Sequence, residues 1–213
     1  MKSSTTEKLK PRKQPVQERS GVTVDAIYTA TIQVLLADDM NKLTTTRVAE
    51  RAGVSVGTLY QYFPNKEALL YAILLKHFEE MARAYEEIAA HHPPAPLSEL
   101  AACIADTYVS VKMVNPDATE AMYRVAGAIN QVRMSSNVFA RIGMAICNLL
   151  AQASDATFKD PKQVTFTVLS SLAGLSRASF GQLAAGSDAL ARLQDESRLV
   201  AQAYLHAAAD KDA

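Results

Sequence analysis

The chain has 213 residues, of which 49% are hydrophobic and 21% are charged, as expected for an ordinary soluble protein of one large or two small domains. No apolar run approaches about 18 residues and the polar N-terminus has no apolar leader, so we expect no membrane span, no secretory signal and a cytoplasmic location. The net charge is zero, yet residues 1–66 hold ten Lys and Arg against six Asp and Glu, which predicts a polyanionic partner for that part only.

Residues 1–20 are rich in Lys, Arg, Pro, Ser and Gln, and we expect them to form a flexible basic arm. From Val22 to about Asp38 apolar residues recur at helical spacing and predict the first helix, which ends near Asn41. The arm could follow DNA phosphates or enter the minor groove, or it could be a solubilising tail, and both interpretations stay open. Its basic residues are Lys8, Lys10, Arg12, Lys13 and Arg19.

Two short helices follow, each preceded by a residue that can cap it. A threonine, Thr44 or Thr45, caps the first, and Ser55 caps the second, because their hydroxyls can accept from unpaired amides of the first turn. Between the two helices Gly53 supplies the positive φ that a tight turn between crossing helices needs. The helices are predicted over residues 45–52 and 56–62.

Beyond residue 64 the sequence predicts helices only, with Pro-rich or Gly-containing breaks between them. Alternating strand patterns are absent, so the predicted fold is all-α with about nine helices. The later helices are predicted at Asn65–Ala90, Leu97–Val114, Asp117–Arg133, Ser136–Ala153, Pro161–Ala184 and Asp188–Ala208.

The second short helix is predicted to leave an uncharged face exposed. The glycine turn, the two caps and the two tyrosines together are typical of a helix-turn-helix that places its second helix on DNA. The alternative is a helical hairpin whose tyrosines only pack or lie on the surface. The residues of the face are Val56, Gly57, Thr58, Tyr60, Gln61 and Tyr62.

The stretch AERAGVSVGTLYQYFPNKEALL, residues 49–70, closely resembles the DNA-binding signature of the tetracycline-repressor-like (TetR/AcrR) family of bacterial regulators. The resemblance covers residues 22–75 and implies a homodimer that binds double-stranded DNA and a small-molecule effector. It implies a helix-turn-helix DNA-binding domain at 21–66 and a helical effector-binding and dimerisation domain at 67–213. In two places the chain departs from the family pattern: the loop after the first helix lacks a glycine, and Gly21 stands where a second arginine is usual.

The resemblance also implies roles for individual residues. Thr45 and Thr46 would bond phosphates at the start of the first short helix. The second short helix would be fixed on the DNA backbone by some residues, while Val56, Gly57 and Gln61 would face base edges. The backbone contacts would be Thr58, Tyr60, Tyr62 and Lys66, and Ser55 and Arg19 complete the predicted DNA-binding set.

The last two helices predict a subunit interface. Apolar and small residues recur at alternating spacings of three and four in the final helix, as in a coiled coil. A similar stripe follows the helix before it, and both stripes could instead face the core of their own protomer. The predicted interface residues are Val168, Leu172, Leu175, Ser179, Leu190, Leu193, Val200 and Tyr204.

Met and aromatic residues of the middle helices are candidates for a pliable, mostly apolar effector pocket, although they suit a plain helical core as well. Asn130 and Arg124 are the polar groups best able to orient a ligand there. The predicted ligand-binding residues are Phe78, Tyr108, Met122, Tyr123, Asn130, Phe139, Met144 and Phe166.

The sequence predicts no metal, cofactor or catalytic site. His91 and His92 lie in a Pro-rich loop without acidic or Cys partners, and Cys103 and Cys147 are expected to be buried free thiols. The interpretation is therefore a ligand-responsive repressor, not an enzyme. Its alternatives are a DNA-binding regulator without a small-molecule effector and a helical carrier or enzyme that keeps an inert helix-turn-helix.

Overall fold

The computed structural model describes residues 18–37, 42–126, 136–181 and 188–210, with only the backbone at 18–20, 126 and 136. Within these ranges all regular structure is helical, which confirms the predicted all-α fold. One isolated backbone bridge, between Ala95 and Ala153, accompanies the helices there. The helices are α1 (Glu18–Ala37), α2 (Thr45–Arg51), α3 (Val56–Tyr62), α4 (Lys66–His91), α5 (Leu97–Val114), α6 (Pro116–Ala126), α7 (Ser136–Leu150), α8 (Pro161–Phe180) and α9 (Leu193–Ala208).

Several helix ends differ from the prediction, because apolar periodicity marks only the buried part of a helix. The first helix begins at Glu18 rather than Val22, so its polar first turn takes residues 18–20 from the predicted arm. The helix α7 ends at Leu150 rather than Ala153, since the backbone there leaves the helix to bond Ala95. The predicted loop residues 38–41 and the second half of the predicted helix at 117–133 lie outside the described residues.

The last two helices are also shorter than predicted, because α8 ends earlier and α9 begins later. Gly181 has an extended backbone, with φ −89° and ψ 175°, and α8 therefore stops at Phe180 instead of continuing to Ala184. The final helix begins at Leu193 rather than Asp188, because residues 188–192 form a turn closed by a bond from the Arg192 amide to the Asp188 carbonyl, 3.1 Å. Among the described helices, none has the length and apolar character needed to cross a membrane.

The chain forms two compact units. The first contains residues 1–77 and 117–134, and the second contains residues 78–116 and 135–213. This division differs from the predicted domain boundary at residue 66: the start of α4 and nearly all of α6 lie with the helix-turn-helix. The assignment of DNA binding to one domain and effector binding to the other stays a prediction.

The first unit is held by a small apolar core and by one arginine from α6. Ile27 of α1, Val48 of α2 and Leu59 of α3 have no exposed surface. The Arg124 guanidinium bonds Glu120 and donates to the Leu35 carbonyl in the last turn of α1, 3.0 Å. A cation at these carbonyls is favourable because the C-terminal end of a helix is partially negative. Arg124 therefore anchors α6 on α1, a different role from the ligand orientation predicted for it.

The second unit is built around α5, which packs against α7, α8 and α9. The hydroxyl of the fully buried Tyr85 donates to the Ile104 carbonyl, 2.8 Å, and burial raises the pKa of that phenol well above its ordinary value. On the surface, Arg198 of α9 makes a bidentate contact to Asp106 of α5, at 2.6 and 2.7 Å. This hydrogen-bonded arginine holds the pKa of Asp106 below its usual value.

The second half of α4 is bound to α7 by an ion triad and an aromatic pair, all within the second unit. Arg141 bonds Glu79 at 2.6 Å and Glu86 at 2.7 Å, two carboxylates on the same side of α4. Its hydrogen bond lowers the pKa of Glu86. Beside the triad the rings of Phe78 and Phe139 lie 4.8 Å apart. A side chain bridging two turns of α4 fixes how α7 lies along it.

Backbone hydrogen bonds connect the loop before α5 with the loop after α7. The Ala95 amide donates to the Gln152 carbonyl, 3.2 Å, and the Ala95 carbonyl accepts from Ser154, 3.0 Å. Since Pro96 stands at the N-cap of α5 and makes no side-chain cap, the Leu97 amide is satisfied instead by the Asp155 carboxylate, 2.7 Å. The cap of α5 thus comes from a distant part of the sequence.

We expect Asp155→Ala to lower the free energy of unfolding by about 1 kcal/mol, the usual cost of removing a side-chain cap. Urea denaturation followed by circular dichroism measures this. Asp155→Asn keeps an acceptor oxygen and should retain most of the stability, while Ser154→Ala, next to it, should change little. Equal stability of the Asp155→Ala variant and the wild type would contradict the capping role.

Candidate nucleic-acid interface

Both short helices begin with side-chain caps at the predicted places. The Thr44 hydroxyl accepts from the Arg47 amide, 3.3 Å, and the Ser55 hydroxyl accepts from the Thr58 amide, 2.9 Å. The cap of α2 is therefore Thr44, and Thr45 is the first helical residue. Each cap satisfies one amide that a helix start leaves unpaired, which fixes where α2 and α3 begin.

The turn between α2 and α3 depends on Gly53. Its φ is +68°, and no other residue in the described part of the chain has a positive φ. The turn is closed by the Gly53 amide on the Glu50 carbonyl, 3.1 Å, and by the Val54 amide on the Ala49 carbonyl, 3.0 Å. A residue with a Cβ is strained in this conformation, so the sharp change of direction requires glycine.

The packing of α3 determines which of its residues face outward. Leu59 is fully buried, and Phe63, directly after the helix, is nearly so. Because a helix repeats every 3.6 residues, the side away from Leu59 carries Gly57, Tyr60 and Gln61, all of which are exposed. Val56, Thr58 and Tyr62 are half-buried at the borders of that face.

Two pairs of hydroxyls line the approach to α3. The Thr45 hydroxyl lies 3.1 Å from the Tyr60 hydroxyl, joining α2 to α3, and the Ser55 hydroxyl lies 2.8 Å from that of Thr58. A hydroxyl pair shares one proton and still has one proton to donate outward. The structure therefore brings four of the predicted contact residues together as two groups, each able to donate to a phosphate oxygen.

Two further predicted residues, Thr46 and Lys66, lie in the helices on either side of α3. Thr46 is exposed on α2 next to Thr45, and Lys66 is half-buried as the first residue of α4. Asn65, which caps that helix, accepts from the Ala68 amide, 2.7 Å. Arg19 belongs to α1 by its backbone, and its side chain lies outside the described residues, as do the predicted arm residues Lys8, Lys10, Arg12 and Lys13.

Sequence reasoning missed three exposed cations of the first unit, Lys42, Arg47 and Arg51. Arg51 donates to the Gln33 amide oxygen, 2.7 Å, and Arg47 to the Lys42 carbonyl, 3.4 Å. Both acceptors are neutral groups that orient the guanidinium side chains. The spacing of Arg47 and Arg51, one turn apart on α2, was the signal that could have identified them.

Within the described part of the chain, no neighbouring residue requires position 57 to be glycine. It lies inside α3 with a negative φ, and an added Cβ would meet only the Ser55 hydroxyl, at an ordinary 3.7 Å. Glycine inside a helix costs about 1 kcal/mol relative to alanine. A residue that weakens its own helix on an exposed face is what a closely approaching partner requires.

Four of the predicted ligand-binding residues lie inside the two units. Met122 is buried and Tyr123 half-buried in the first unit, while Tyr108 is buried and Phe78 half-buried in the second. Lys112, which the sequence did not single out, follows Tyr108 by one helical turn. It is only 1% exposed, and its Nζ lies 5.3 Å from the centre of the Tyr108 ring. Burial lowers the pKa of this lysine to about 7.

The other predicted ligand-binding residues lie elsewhere. Phe139, Met144 and Phe166 are exposed on the second unit, so they do not line an enclosed cavity of that unit. Asn130 lies outside the described residues. The exposure has a simple cause: helical periodicity distinguishes the faces of a helix but does not tell which of two apolar faces is covered.

The predicted dimer residues fall into a buried group and a group that is half-buried or exposed. Half of them are buried in the protomer itself, where a second subunit does not reach them: Val168, Leu172, Ser179 and Leu193. Leu175, Val200 and Tyr204 are half-buried, and Leu190 is exposed in the turn before α9. The buried stripes thus face the protomer's own core, and the exposed apolar residues on α8 and α9 are others, Phe166 and Leu199.

The described residues contain no group of three His, Cys, Asp or Glu side chains that could hold a metal ion. Cys103 and Cys147 are unpaired thiols that are half-buried rather than buried. The Cys147 thiol lies 3.4 Å from the Thr165 hydroxyl, between α7 and α8.

Two protein-family models match the chain. The model described as bacterial regulatory proteins, tetR family, matches residues 27–73, which contain the helix-turn-helix. The model described as tetracyclin repressor-like, C-terminal domain, matches residues 96–205, about half of the chain.

Similar proteins of known sequence and structure agree with these matches. The HTH-type transcriptional repressor KstR of Rhodococcus jostii strain RHA1 is 34% identical over 105 residues, 44% of this chain and 47% of that protein. KstR of Mycolicibacterium smegmatis is 37% identical over 103 residues, 44% of this chain and 50% of that protein. The chain therefore spans about half the length of the curated relatives it matches.

Among solved structures, SmeT, the repressor of the Stenotrophomonas maltophilia multidrug efflux pump SmeDEF, superimposes with a TM-score of 0.66 at 16% identity, over 90% of this chain and 94% of that one. A TetR transcription regulator from Haloarcula marismortui gives 0.65 at 20% identity, over 89% and 100% of the two chains. At such identities the likeness shows the shared fold alone.

The two glycines of this site should respond to alanine in opposite directions. Gly53→Ala should lower the free energy of unfolding by about 1–2 kcal/mol, because its φ is left-handed. Gly57→Ala should raise it by roughly 0.5–1 kcal/mol, because the site has room for a methyl group. Urea denaturation of both variants measures the two signs.

The Gly57→Ala variant should also bind DNA more weakly than the wild type in spite of its greater stability. Gly143→Ala, in an open helical site of α7, is the matched control that should gain stability without losing DNA binding. Undiminished DNA binding by the Gly57→Ala variant would show that nothing approaches this face closely.

Proposed function

The chain belongs to the TetR family of bacterial DNA-binding regulators, and we propose that it is a cytoplasmic repressor that binds a pseudo-palindromic operator as a homodimer and is released by a small, mostly apolar molecule. The observation that carries this proposal is the exposed, uncharged face of α3 with its two hydroxyl pairs and its unexplained glycine. Nothing in the proposal requires catalysis.

On operator DNA, α3 would enter the major groove while the hydroxyl pairs hold it on the backbone. Thr45 with Tyr60, and Ser55 with Thr58, would each donate to a phosphate, which fixes position without reading sequence. Lys42, Arg47 and Arg51 would add the salt-dependent attraction that comes from neutralising phosphates. Two such heads, about 34–36 Å apart, would fit successive turns of the groove.

The dimer would form through the outer faces of α8 and α9, which include Leu175, Val200 and Tyr204 of the predicted set but not its four buried residues. Phe166 is 66% exposed and Leu199 is 61% exposed, and the two helices pack against each other within one protomer. Ser170 and Gly174 follow Phe166 at intervals of one helical turn and are exposed, so another helix can approach closely. Two copies of this pair would form a four-helix contact with two-fold symmetry.

Signal transfer would follow the helix α4, which has 26 residues and is separated from the end of α3 by only three residues. Arg141 of α7 forms ion pairs with Glu79 and Glu86 in the second half of α4. Arg124 of α6 donates a hydrogen bond to the last turn of α1. An effector that moves α6 or α7 would therefore shift the head, and repression would fail when both half-sites no longer match. This mechanism requires the effector to bind the released state more tightly.

A regulator without a small-molecule effector is the second candidate. It is favoured by the exposure of Phe139, Met144 and Phe166, which removes three of the eight predicted ligand-binding residues from any enclosed pocket of the second unit. The carrier or enzyme alternative has no comparable observation in its favour.

The test of the proposal is fluorescence anisotropy of the purified chain on the DNA upstream of its own gene, at two salt concentrations and against random competitor. We expect nanomolar binding that survives competitor, with two protomers or a multiple of two on each site. Weak binding that salt abolishes would contradict the proposed operator.

A ligand screen, followed by a test of DNA release from this complex, distinguishes the two candidate functions. Apolar compounds are screened for those that raise the melting temperature, since a ligand of the folded state stabilises it in proportion to RT ln(1 + [L]/Kd). A true effector must also release the DNA. Compounds that do neither, over a broad apolar library, would favour the regulator without an effector.

We expect the double variant Phe166→Asp with Leu199→Asp to be monomeric in sedimentation at low micromolar concentration and to lose high-affinity operator binding. Buried charge opposes the proposed contact, while the protomer should keep its helical content because both residues are exposed. Val114→Asp, which alters an exposed apolar residue of α5, should stay dimeric. A double variant that is still dimeric would place the interface elsewhere.

A further inference from the structure

At the centre of the exposed face of α3, which Gly57, Tyr60 and Gln61 form, Gln61 has the one polar side chain that is not hydrogen-bonded to another described residue. The Thr58 and Tyr60 hydroxyls are hydrogen-bonded to Ser55 and Thr45. Gln61 is exposed, and no residue of the described ranges hydrogen-bonds its amide group. An unengaged amide carries both a donor and an acceptor that remain available to an outside partner.

The chemistry of α3 excludes the commonest base contact from this helix. Its seven residues, VGTLYQY, contain no arginine or lysine that could bond the O6 and N7 acceptors of guanine. The exposed Arg51 lies on α2 and is already oriented by Gln33. The side-chain amide of Gln61 is therefore the only group of α3 able to make a bidentate contact to a base edge.

Gln61 and Gly57 share one exposed side of α3. Gln61 follows Gly57 by four residues, so the two lie on the same side of α3, one turn apart. Since Gly57 has no side chain, the helix backbone can come close to the DNA at that turn. With α3 in the major groove, as proposed above, the longer side chain of Gln61 would then reach the base edges.

We infer that Gln61 reads an adenine, so that each operator half-site has an A·T pair at the position below it. A glutamine amide accepts from the N6 amino group of adenine and donates to N7, a pattern that no other base presents in the major groove. This inference rests on the proposed function, because it names the base that the same interface recognises.

The test is selection of binding sites from random double-stranded DNA by the full chain, followed by sequencing. The wild type should select one A·T pair in each half-site with a discrimination of roughly 5- to 150-fold over other pairs. Gln61→Ala should flatten that position and leave the others unchanged. Gln61→Arg should shift the same position to G·C, because a guanidinium bonds guanine. Gln163→Ala, an exposed glutamine of α8, is the matched control and should select the wild-type sequence.

The outcomes distinguish this inference from the proposed function. If the wild type selects no sequence at all, the operator proposal fails and the inference fails with it. If the wild type selects an operator but Gln61→Ala keeps the A·T preference, only the inference fails. A uniform loss of affinity without a change of base preference would likewise overturn it, since Gln61 would then contact a phosphate. Circular dichroism and melting temperature confirm that the exposed substitutions leave the fold intact.

Discussion

The burial of Leu59 fixes which side of α3 faces outward, and the proposed interface depends on it. Leu59 and Val48 have no exposed surface, and α2 packs against both α1 and α3. With this side chain inside, helical periodicity leaves Gly57, Tyr60 and Gln61 outside. The caps and the left-handed Gly53 then set where each helix begins and how sharply the chain turns. A small apolar contact thus determines the orientation of every polar group that would meet DNA.

The features that sequence could predict are those decided by a few neighbouring residues. The bounds of α3 and of α5 coincide with the prediction because a serine cap, a proline and a Pro-containing break mark them locally. The positive φ of Gly53 was predictable for the same reason, since only glycine adopts that conformation without strain. The outward face of α3 followed from one apolar residue and the helical period.

The features that could not be predicted from the sequence depend on contacts between residues that are far apart along the chain. The periodicity of α8 and α9 showed correctly that each helix has an apolar stripe, but Val168 and Leu172 face the protomer's own core while Phe166 lies outside. A helix with two apolar sides gives no local sign of which side its neighbours cover. The cap that Asp155 provides for α5 and the ion pairs of Arg141 with Glu79 and Glu86 likewise join distant residues and have no local signal in the sequence.

In the proposed complex with DNA, different helices of the first unit would supply affinity and specificity, and this division would account for the glycine inside α3. The exposed cations lie on and before α2, where Arg47 and Arg51 would add an attraction to DNA that is independent of base sequence. If they stood on α3, the same attraction would hold it to any DNA and dilute the effect of its base contacts. Without charged residues, α3 can carry Gly57, although glycine weakens the helix, and a glutamine whose amide is open to a partner. Its stability comes instead from the Ser55 cap and from Leu59 in the core of the unit, so the exposed face is left free to be chosen for recognition.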